Sequence, residues 1–193
     1  MNNFKLITGL IILAVMVTAC AKTKEPSDGT VTENDKLIVY YSLSGNTKLV
    51  ADYIQSLTDA DIFELKLVEP YSLELYDTIE RVRDEVEINY RPKLAKGIDN
   101  LADYDIIFIG SASWFGSLSL PVLSFLETHD LSDKTIVPFI TYGGGGFDNT
   151  ITDLKALLPE ASFLPEFGVT GLYAEYSQPD ILQWLKDIEI LAK

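Results

Sequence analysis

The stretch LIVYYSLSGNT, at residues 37–47, decides the fold. Residues 37–41 form a short, continuous run of apolar and aromatic side chains, which is typical of a strand covered on both faces. Small and polar residues follow from Ser42 to Thr47. Apolar positions then recur at helix-face spacing, at Leu49, Val50, Tyr53, Ile54 and Leu57. The stretch therefore predicts a buried strand, a turn and an amphipathic helix.

The remainder of the chain repeats this alternation. Further strands are predicted at 61–67, 106–109, 136–141 and 162–169, the last interrupted at Pro165. Helices are predicted at 72–89, from Leu120 or Pro121 to about 128, at 149–158 and from about Pro179. Alternating strands and helices imply right-handed crossovers. We therefore predict an α/β fold with a parallel sheet and helices on both faces.

Three segments rich in glycine, hydroxyl and aromatic residues follow predicted strands, at 42–47, 110–116 and 141–148. In parallel sheets of this kind, ligands bind beyond the carboxyl ends of the strands. We therefore expect the three loops to meet at one edge of the sheet and to form a binding site there.

The first loop, 42–47, has the character of an anion site. It would present backbone N–H groups and hydroxyls at a helix N-terminus, where the helix dipole favours negative charge. The chain has no Gly-x-x-x-x-Gly-Lys motif, and this loop lacks G-x-G-x-x-G. A terminal monophosphate therefore fits better than a triphosphate or pyrophosphate. The alternative is that Thr47 or a neighbour only caps the helix.

The second and third loops favour a flat ligand with close backbone contact. Trp114 and Phe115 lie between Gly110 and Gly116, and an indole suits stacking on an aromatic ring. Four consecutive glycines, 143–146, would let the backbone lie against a ligand. The alternatives are a Trp114 that only covers the sheet edge and a surface turn without function.

Composition excludes several classes of function. The 193 residues include 29 acidic and 15 basic side chains, for a formal net charge of −14. Such a surface does not suit nucleic acid, whose phosphates require Lys and Arg. One cysteine and one histidine exclude a disulfide framework and make a metal centre improbable. We expect the acidic positions of the helix at 72–89 to form a solvated face: Glu80, Asp84, Glu85 and Glu87.

The amino-terminal segment MNNFKLITGLIILAVMVTAC, residues 1–20, has the pattern of an export signal. Its end, Val17 to Cys20, resembles the bacterial lipobox, which implies cleavage before Cys20 and a lipid on its sulfur. We therefore predict a signal peptide at 1–19, a lipidated Cys20 with a flexible tether to residue 35, and a folded domain at 36–193. The domain would lie outside the cytoplasm, in the cell envelope, anchored to a bacterial membrane.

The loops also resemble a known family. Residues 41–47 resemble the phosphate loop of flavodoxins, (T/S)-x-(T/S)-G-x-T. Residues 105–110, continuing to 114–116, resemble the second segment of the same family. The resemblance implies a three-layer, flavodoxin-like fold with a five-stranded parallel sheet of order 2-1-3-4-5, and FMN as the cofactor.

Carried onto this sequence, the resemblance implies a set of cofactor-binding residues. The phosphate would be held by Ser42, Ser44, Asn46 and Thr47, with Gly45 permitting close approach. The isoalloxazine would lie by Trp114 and the backbone of Ser113, Phe115 and Gly116. A third wall would come from Thr141, Tyr142, Gly143, Gly144 and Gly145. No catalytic residue and no metal ligand is implied.

We expect an FMN-binding electron-transfer protein, monomeric, that exchanges electrons with partner proteins or a small acceptor. Its acidic surface would lower the flavin potential and steer basic partners. One alternative is an FMN-dependent NAD(P)H oxidoreductase acting on a quinone or similar small acceptor, since the same loops serve both roles. The other is an interaction module without a cofactor.

Overall fold

The computed structural model describes residues 35–192, apart from the side chain of Asp148. The predicted signal peptide, Cys20 and the tether to residue 34 lie outside the described residues. Between residues 35 and 192, no helix is long and apolar enough to cross a membrane.

Strands and helices alternate along the described chain. The strands are β1 (Lys36–Tyr40), β2 (Asp61–Glu64), β3 (Ile106–Trp114), β4 (Ser117–Leu118), β5 (Thr135–Tyr142), β6 (Ser162–Phe163) and β7 (Phe167–Thr170). The α-helices are α1 (Asn46–Thr58), α2 (Leu75–Glu87), α3 (Leu120–Thr128), α4 (Asp148–Leu157) and α5 (Gln178–Asp187). Two 3₁₀ segments lie at Leu101–Asp103 and Gly171–Tyr176.

The main sheet is parallel, with the order β2-β1-β3-β5 and then β6 and β7, which both pair with β5. Counted along the chain, this is the predicted 2-1-3-4-5 order. The predicted interruption of the strand at 162–169 is confirmed, because two short strands, β6 and β7, lie on either side of Pro165. Pro165, between them, has no N–H for a ladder. Its carbonyl oxygen instead accepts a hydrogen bond from Trp184 Nε1 at 2.9 Å.

Both faces of the sheet are buried, so alternate residues of β1 enter different cores. Leu37 and Val39 belong to one apolar cluster, and Ile38 and Tyr40 belong to the other. Helices α2, α3 and α4 cover the first cluster through residues such as Val82, Phe125 and Leu154. Helices α1 and α5 cover the second through Val50, Ile54, Ile181 and Leu185. The three-layer α/β fold is therefore confirmed.

Strand β3 is longer than predicted and takes in most of the expected loop at 110–116. Its pairing with β5 continues to Ala112 opposite Thr141, and the next residues form a hairpin with β4. The reversal falls at Phe115 and Gly116, whose φ angles are 51° and 82°. This hairpin places Trp114 at the end of a strand, where it pairs with Ser117.

Candidate functional site

A cleft of about 750 Å³ lies at the carboxyl ends of β1, β3, β5 and β7. It is lined by residues from all three predicted loops, and by a fourth segment, 170–173, together with Leu75 at the start of α2. The expected meeting of the loops at one sheet edge is therefore found in the structure.

The structure brings many, though not all, of the predicted site residues to this cleft. Those lining it are Ser44, Asn46, Ser113, Trp114, Thr141, Tyr142, Gly143 and Gly144. Ser42 and Gly45 instead line an adjoining pocket of about 420 Å³. Phe115 borders a smaller pocket beside α2, and it is exposed. Thr47, Gly116 and Gly145 are not among the residues that line the cleft.

The first loop leads into α1 without a side-chain cap. Gly45 occupies the N-cap position with a φ of 91°, and no side chain hydrogen-bonds to the first turn. The alternative that this loop only caps the helix is therefore wrong. Thr47 is buried, and its Oγ1 shares a hydrogen bond of 2.8 Å with Thr141 Oγ1. That bond ties the first loop to the third and fixes the distance between two walls of the cleft.

Two buried hydroxyls around the cleft have no hydrogen-bond partner. Among the described residues, the buried side-chain polar atoms without a hydrogen-bond partner are Ser42 Oγ, Thr170 Oγ1 and Arg91 Nε. Buried polar atoms are nearly always paired, because an unpaired one costs about 1–3 kcal/mol. Ser42 belongs to the predicted phosphate loop, and Thr170 lines the cleft. These hydroxyls are therefore suited to a polar ligand that brings its own acceptors.

Trp114 forms one wall of the cleft and is half-buried. Tyr41 and Tyr71 meet its ring edge-on, with centroid distances of 5.8 and 5.3 Å and interplanar angles of 89° and 83°. The ring thus packs against the core and also borders the cleft. The alternative that Trp114 covers the sheet edge therefore holds in part, and stacking of the indole on a flat ligand stays a prediction.

The glycine loop contains residues that the protein itself does not require to be glycine. At Gly143, Gly144 and Gly145 an added Cβ would meet nothing within 4 Å, and only Gly146 has a positive φ, of 75°. The end of the loop is held by Phe147, which packs on Tyr142 at a centroid distance of 5.0 Å. Glycine at 143 and 144, which line the cleft, is explained if a ligand lies against the backbone there.

The cleft offers no group for acid–base chemistry at neutral pH. None of the described residues that line it is Asp, Glu, His, Lys or Arg. No group of three or more His, Cys, Asp and Glu side chains within the described part of the chain could hold a metal ion. Behind the cleft, burial raises the pKa of Tyr41 to about 12, so that its ring stays neutral. The lining is suited to binding and orienting a ligand.

The fourth segment of the lining was not predicted from the sequence; it consists of Thr170, Gly171, Leu172 and Tyr173. The signal was present, because these residues follow a strand in the same way as the other loops. An added Cβ on Gly171 would lie 2.5 Å from Asn46 Nδ2, so this segment touches the first loop. Leu75 had no comparable signal, because the packing of α2 places it at the cleft.

Comparisons with known proteins agree with this architecture. A family model described as flavodoxin matches residues 35–188. A candidate flavoprotein from Bacteroides eggerthii is 30% identical with a TM-score of 0.67, and the match covers 79% of this chain and 96% of that one. A second, from Bacteroides uniformis, is 26% identical with a TM-score of 0.71, over 80% and 99%.

A more distant structure shows the same fold with a ligand. It is a flavoprotein from Lactobacillus acidophilus in complex with FMN, 24% identical with a TM-score of 0.62, over 79% of this chain and 99% of that one. The search of curated proteins found no match.

Proposed function

The chain belongs to the flavodoxin family, and from this premise we propose that its cleft binds FMN and that the protein carries electrons between redox partners. The observation that carries the proposal is the meeting of the predicted loops around a cleft, with one unpaired, buried hydroxyl in its wall, at Thr170, and another in the adjoining pocket, at Ser42. FMN, when bound, supplies the redox chemistry, while the protein binds it, orients it and limits its exposure.

The first loop would hold the phosphate. The uncapped start of α1 offers backbone N–H groups, and Ser44 and Asn46 face the cleft beside it. Ser42 Oγ is buried and lacks a partner, so a phosphate oxygen would satisfy it. No lysine or arginine lines the described cleft itself, where neutral donors and the helix dipole would bind the phosphate, while Lys48 and Lys66 line the adjoining pocket that contains Ser42.

The ring would lie between the second and third loops. Trp114 offers an aromatic surface on one side, and Tyr142, Gly143 and Gly144 form the other wall. The open glycines allow backbone amides to approach the polar edge of the ring. Thr170, with its unpaired Oγ1, would bind a polar group of the cofactor at the point where β7 ends at the cleft.

Exposed apolar side chains at the cleft favour a carrier over a self-sufficient reductase. Leu75, Leu172 and Tyr173 line the cleft and are 65%, 87% and 66% exposed. Exposed apolar patches commonly mark surfaces that contact another protein. The net charge of −14 would steer a basic partner towards the molecule. We therefore favour electron exchange with a docked partner protein and a monomeric carrier.

FMN binding is tested by titrating the purified protein with FMN and, separately, with riboflavin. We expect FMN fluorescence to be quenched and the apoprotein to be stabilised against heat. Riboflavin should bind more weakly, because it lacks the phosphate, and Ser44→Ala should reduce that difference. Failure of FMN to bind or stabilise the protein would refute the cofactor assignment.

The choice between carrier and enzyme is tested with NADH or NADPH and a quinone. We expect the FMN-loaded protein to show no steady turnover until a partner reductase is added. Turnover without any partner protein would instead establish the alternative, an NAD(P)H oxidoreductase.

We further propose that the protein is anchored in the cell envelope by a lipid on Cys20, as the pattern of residues 17–20 indicates. The Cys20→Ala variant should lose the lipid and appear in the aqueous fraction. Unchanged membrane fractionation of that variant would contradict the proposal.

A further inference from the structure

A closed network of three side chains, Tyr71, Arg81 and Glu85, lies next to Trp114 and meets it through the Tyr71 ring. The Tyr71 hydroxyl donates to Glu85 Oε2 at 2.6 Å, and Arg81 Nε donates to Glu85 Oε1 at 2.8 Å. The Arg81 guanidinium also lies over the Tyr71 ring, 4.4 Å from its centre. Each of the three side chains therefore contacts the other two.

The same arginine fastens the chain segment before Tyr71. Arg81 Nη1 donates to the carbonyl oxygen of Pro70 at 3.1 Å, and Nη2 donates to that of Glu69 at 3.4 Å. Helix α2 thus holds residues 69 and 70 through Arg81 and Tyr71 through both Arg81 and Glu85. The expectation that Glu85 belongs to a solvated face is wrong, since only 9% of it is exposed.

Stability alone does not account for a charged pair in this place. Glu85 is buried, and the Arg81 side chain is 33% exposed. Taking the carboxylate out of water carries a desolvation penalty that its attraction to Arg81 often only balances, so the pair is weak evidence for a role in stability. What this network does supply is one defined geometry, because one Glu85 oxygen accepts from Tyr71 and the other accepts from the planar guanidinium of Arg81. The question is which group this geometry orients.

The ring of Tyr71 connects this network to Trp114, which lines the cleft. It meets Trp114 edge-on at 5.3 Å, and it also meets Tyr41 at 6.4 Å and 74°. The Tyr41 ring also meets the Trp114 ring, with a centroid distance of 5.8 Å, so each of the three rings contacts the other two. Any rotation of Tyr71 would therefore alter the angle at which the indole faces the cleft.

We propose that Arg81 and Glu85 are positioning residues, which hold the Trp114 indole through Tyr71 at the angle needed to contact the ring of bound FMN. The proposal rests on the proposed function for its role in FMN binding. Its first step, the orientation of Trp114, concerns the protein alone and can be measured without the cofactor.

The variants are Tyr71→Phe, which removes one hydroxyl, and Glu85→Gln, which removes the charge and keeps the shape. The matched control is Arg83→Gln, which changes the charge of an exposed side chain on the same helix. Near-ultraviolet circular dichroism of the apoprotein should change in the tryptophan bands for the first two variants and stay unchanged for the control. FMN should bind about three- to tenfold more weakly, as displacement of one aromatic contact predicts.

A double-mutant cycle separates positioning from a general loss of stability. If Glu85 acts through Trp114, Glu85→Gln should weaken FMN binding in the wild-type background and have almost no effect in Trp114→Phe. The FMN midpoint potential should shift in the same non-additive way. Equal effects in both backgrounds, or tryptophan bands that match the control, would overturn the proposal.

Two outcomes remain distinct in this design. If the wild-type protein binds no FMN, the proposed function fails, while the tryptophan spectrum still decides whether the network orients Trp114. If Glu85→Gln does not fold, Tyr71→Phe carries the test, because its ring and its contacts with Arg81 remain.

Discussion

Replacing Gly144 with alanine tests whether glycine at this position is required for stability of the fold or for binding of the ligand. Its backbone lies outside the left-handed region, and an added Cβ would meet no atom within 4 Å. In such a place Gly→Ala restricts the unfolded chain and stabilises the protein by about 0.4–1 kcal/mol. For a domain of this size, that raises Tm by about 1–4 °C.

The effect on FMN should have the opposite sign. Gly144 lines the cleft, and a methyl group between the backbone and a closely packed ligand costs about 1–3 kcal/mol. The Kd for FMN should therefore rise at least about fivefold. The matched control is Gly145→Ala, because Gly145 has the same open surroundings and is absent from the cleft lining.

The assays are thermal unfolding of the apoprotein and fluorescence titration with FMN, both on the two variants and the wild type. We expect both variants to be as stable as the wild type or slightly more so, and only Gly144→Ala to bind FMN poorly. Unchanged FMN affinity in Gly144→Ala would refute the close approach of FMN to this loop. A lower Tm would refute the argument that the fold does not need glycine there.

Three other changes test the site and its support. Thr47→Val should lower the free energy of unfolding in urea by about 1–3 kcal/mol, because Thr141 Oγ1 loses its buried partner. The double variant with Thr141→Val should recover part of this loss. No recovery would contradict a direct hydrogen bond between the two hydroxyls. Ser42→Ala should leave the stability of the apoprotein unchanged or higher, because the Ser42 hydroxyl is unpaired. The same substitution should weaken FMN binding more than riboflavin binding. Equal losses of affinity for the two ligands would argue against a phosphate contact. Burial raises the pKa of Tyr41 from 10.0 to about 12, so the folded state keeps this proton to higher pH, and the stabilising contribution, complete below pH 10, is lost between pH 10 and 12. The free energy of unfolding in urea should therefore fall less steeply over that range for Tyr41→Phe than for the wild type. Identical slopes would contradict the shift.

Much of the fold could be predicted because its signals are local. The apolar run at 37–41 and the polar residues after it mark a strand and a turn without any knowledge of distant residues. The 2-1-3-4-5 order and FMN came from the resemblance of residues 41–47 and 105–116 to flavodoxins, and periodicity alone indicated only a parallel sheet. Boundaries were less accurate, as β3 shows, because its last residues are extended only through pairing with β4 and β5.

The contacts between segments could not be predicted, because they depend on which side chains packing brings together. Nothing local distinguishes Glu85 from its acidic neighbours on α2, yet it alone among them is buried, beneath Tyr71 and Arg81. Likewise, Ser42 and Ser44 share one motif but line different pockets, because the chain bends at residues 43–45 between the end of β1 and the start of α1.

The sequence by itself therefore determined the layers of this protein, the edge of the sheet where a ligand binds and the residue types available there. Those properties follow from periodicity and from short motifs, which act over a few residues. The tertiary structure alone decided that residues 170–173 and Leu75 complete the cleft and that α2 supports Trp114. These contacts join residues far apart in the chain, and only the packing of helices on a finished sheet sets the distances between them.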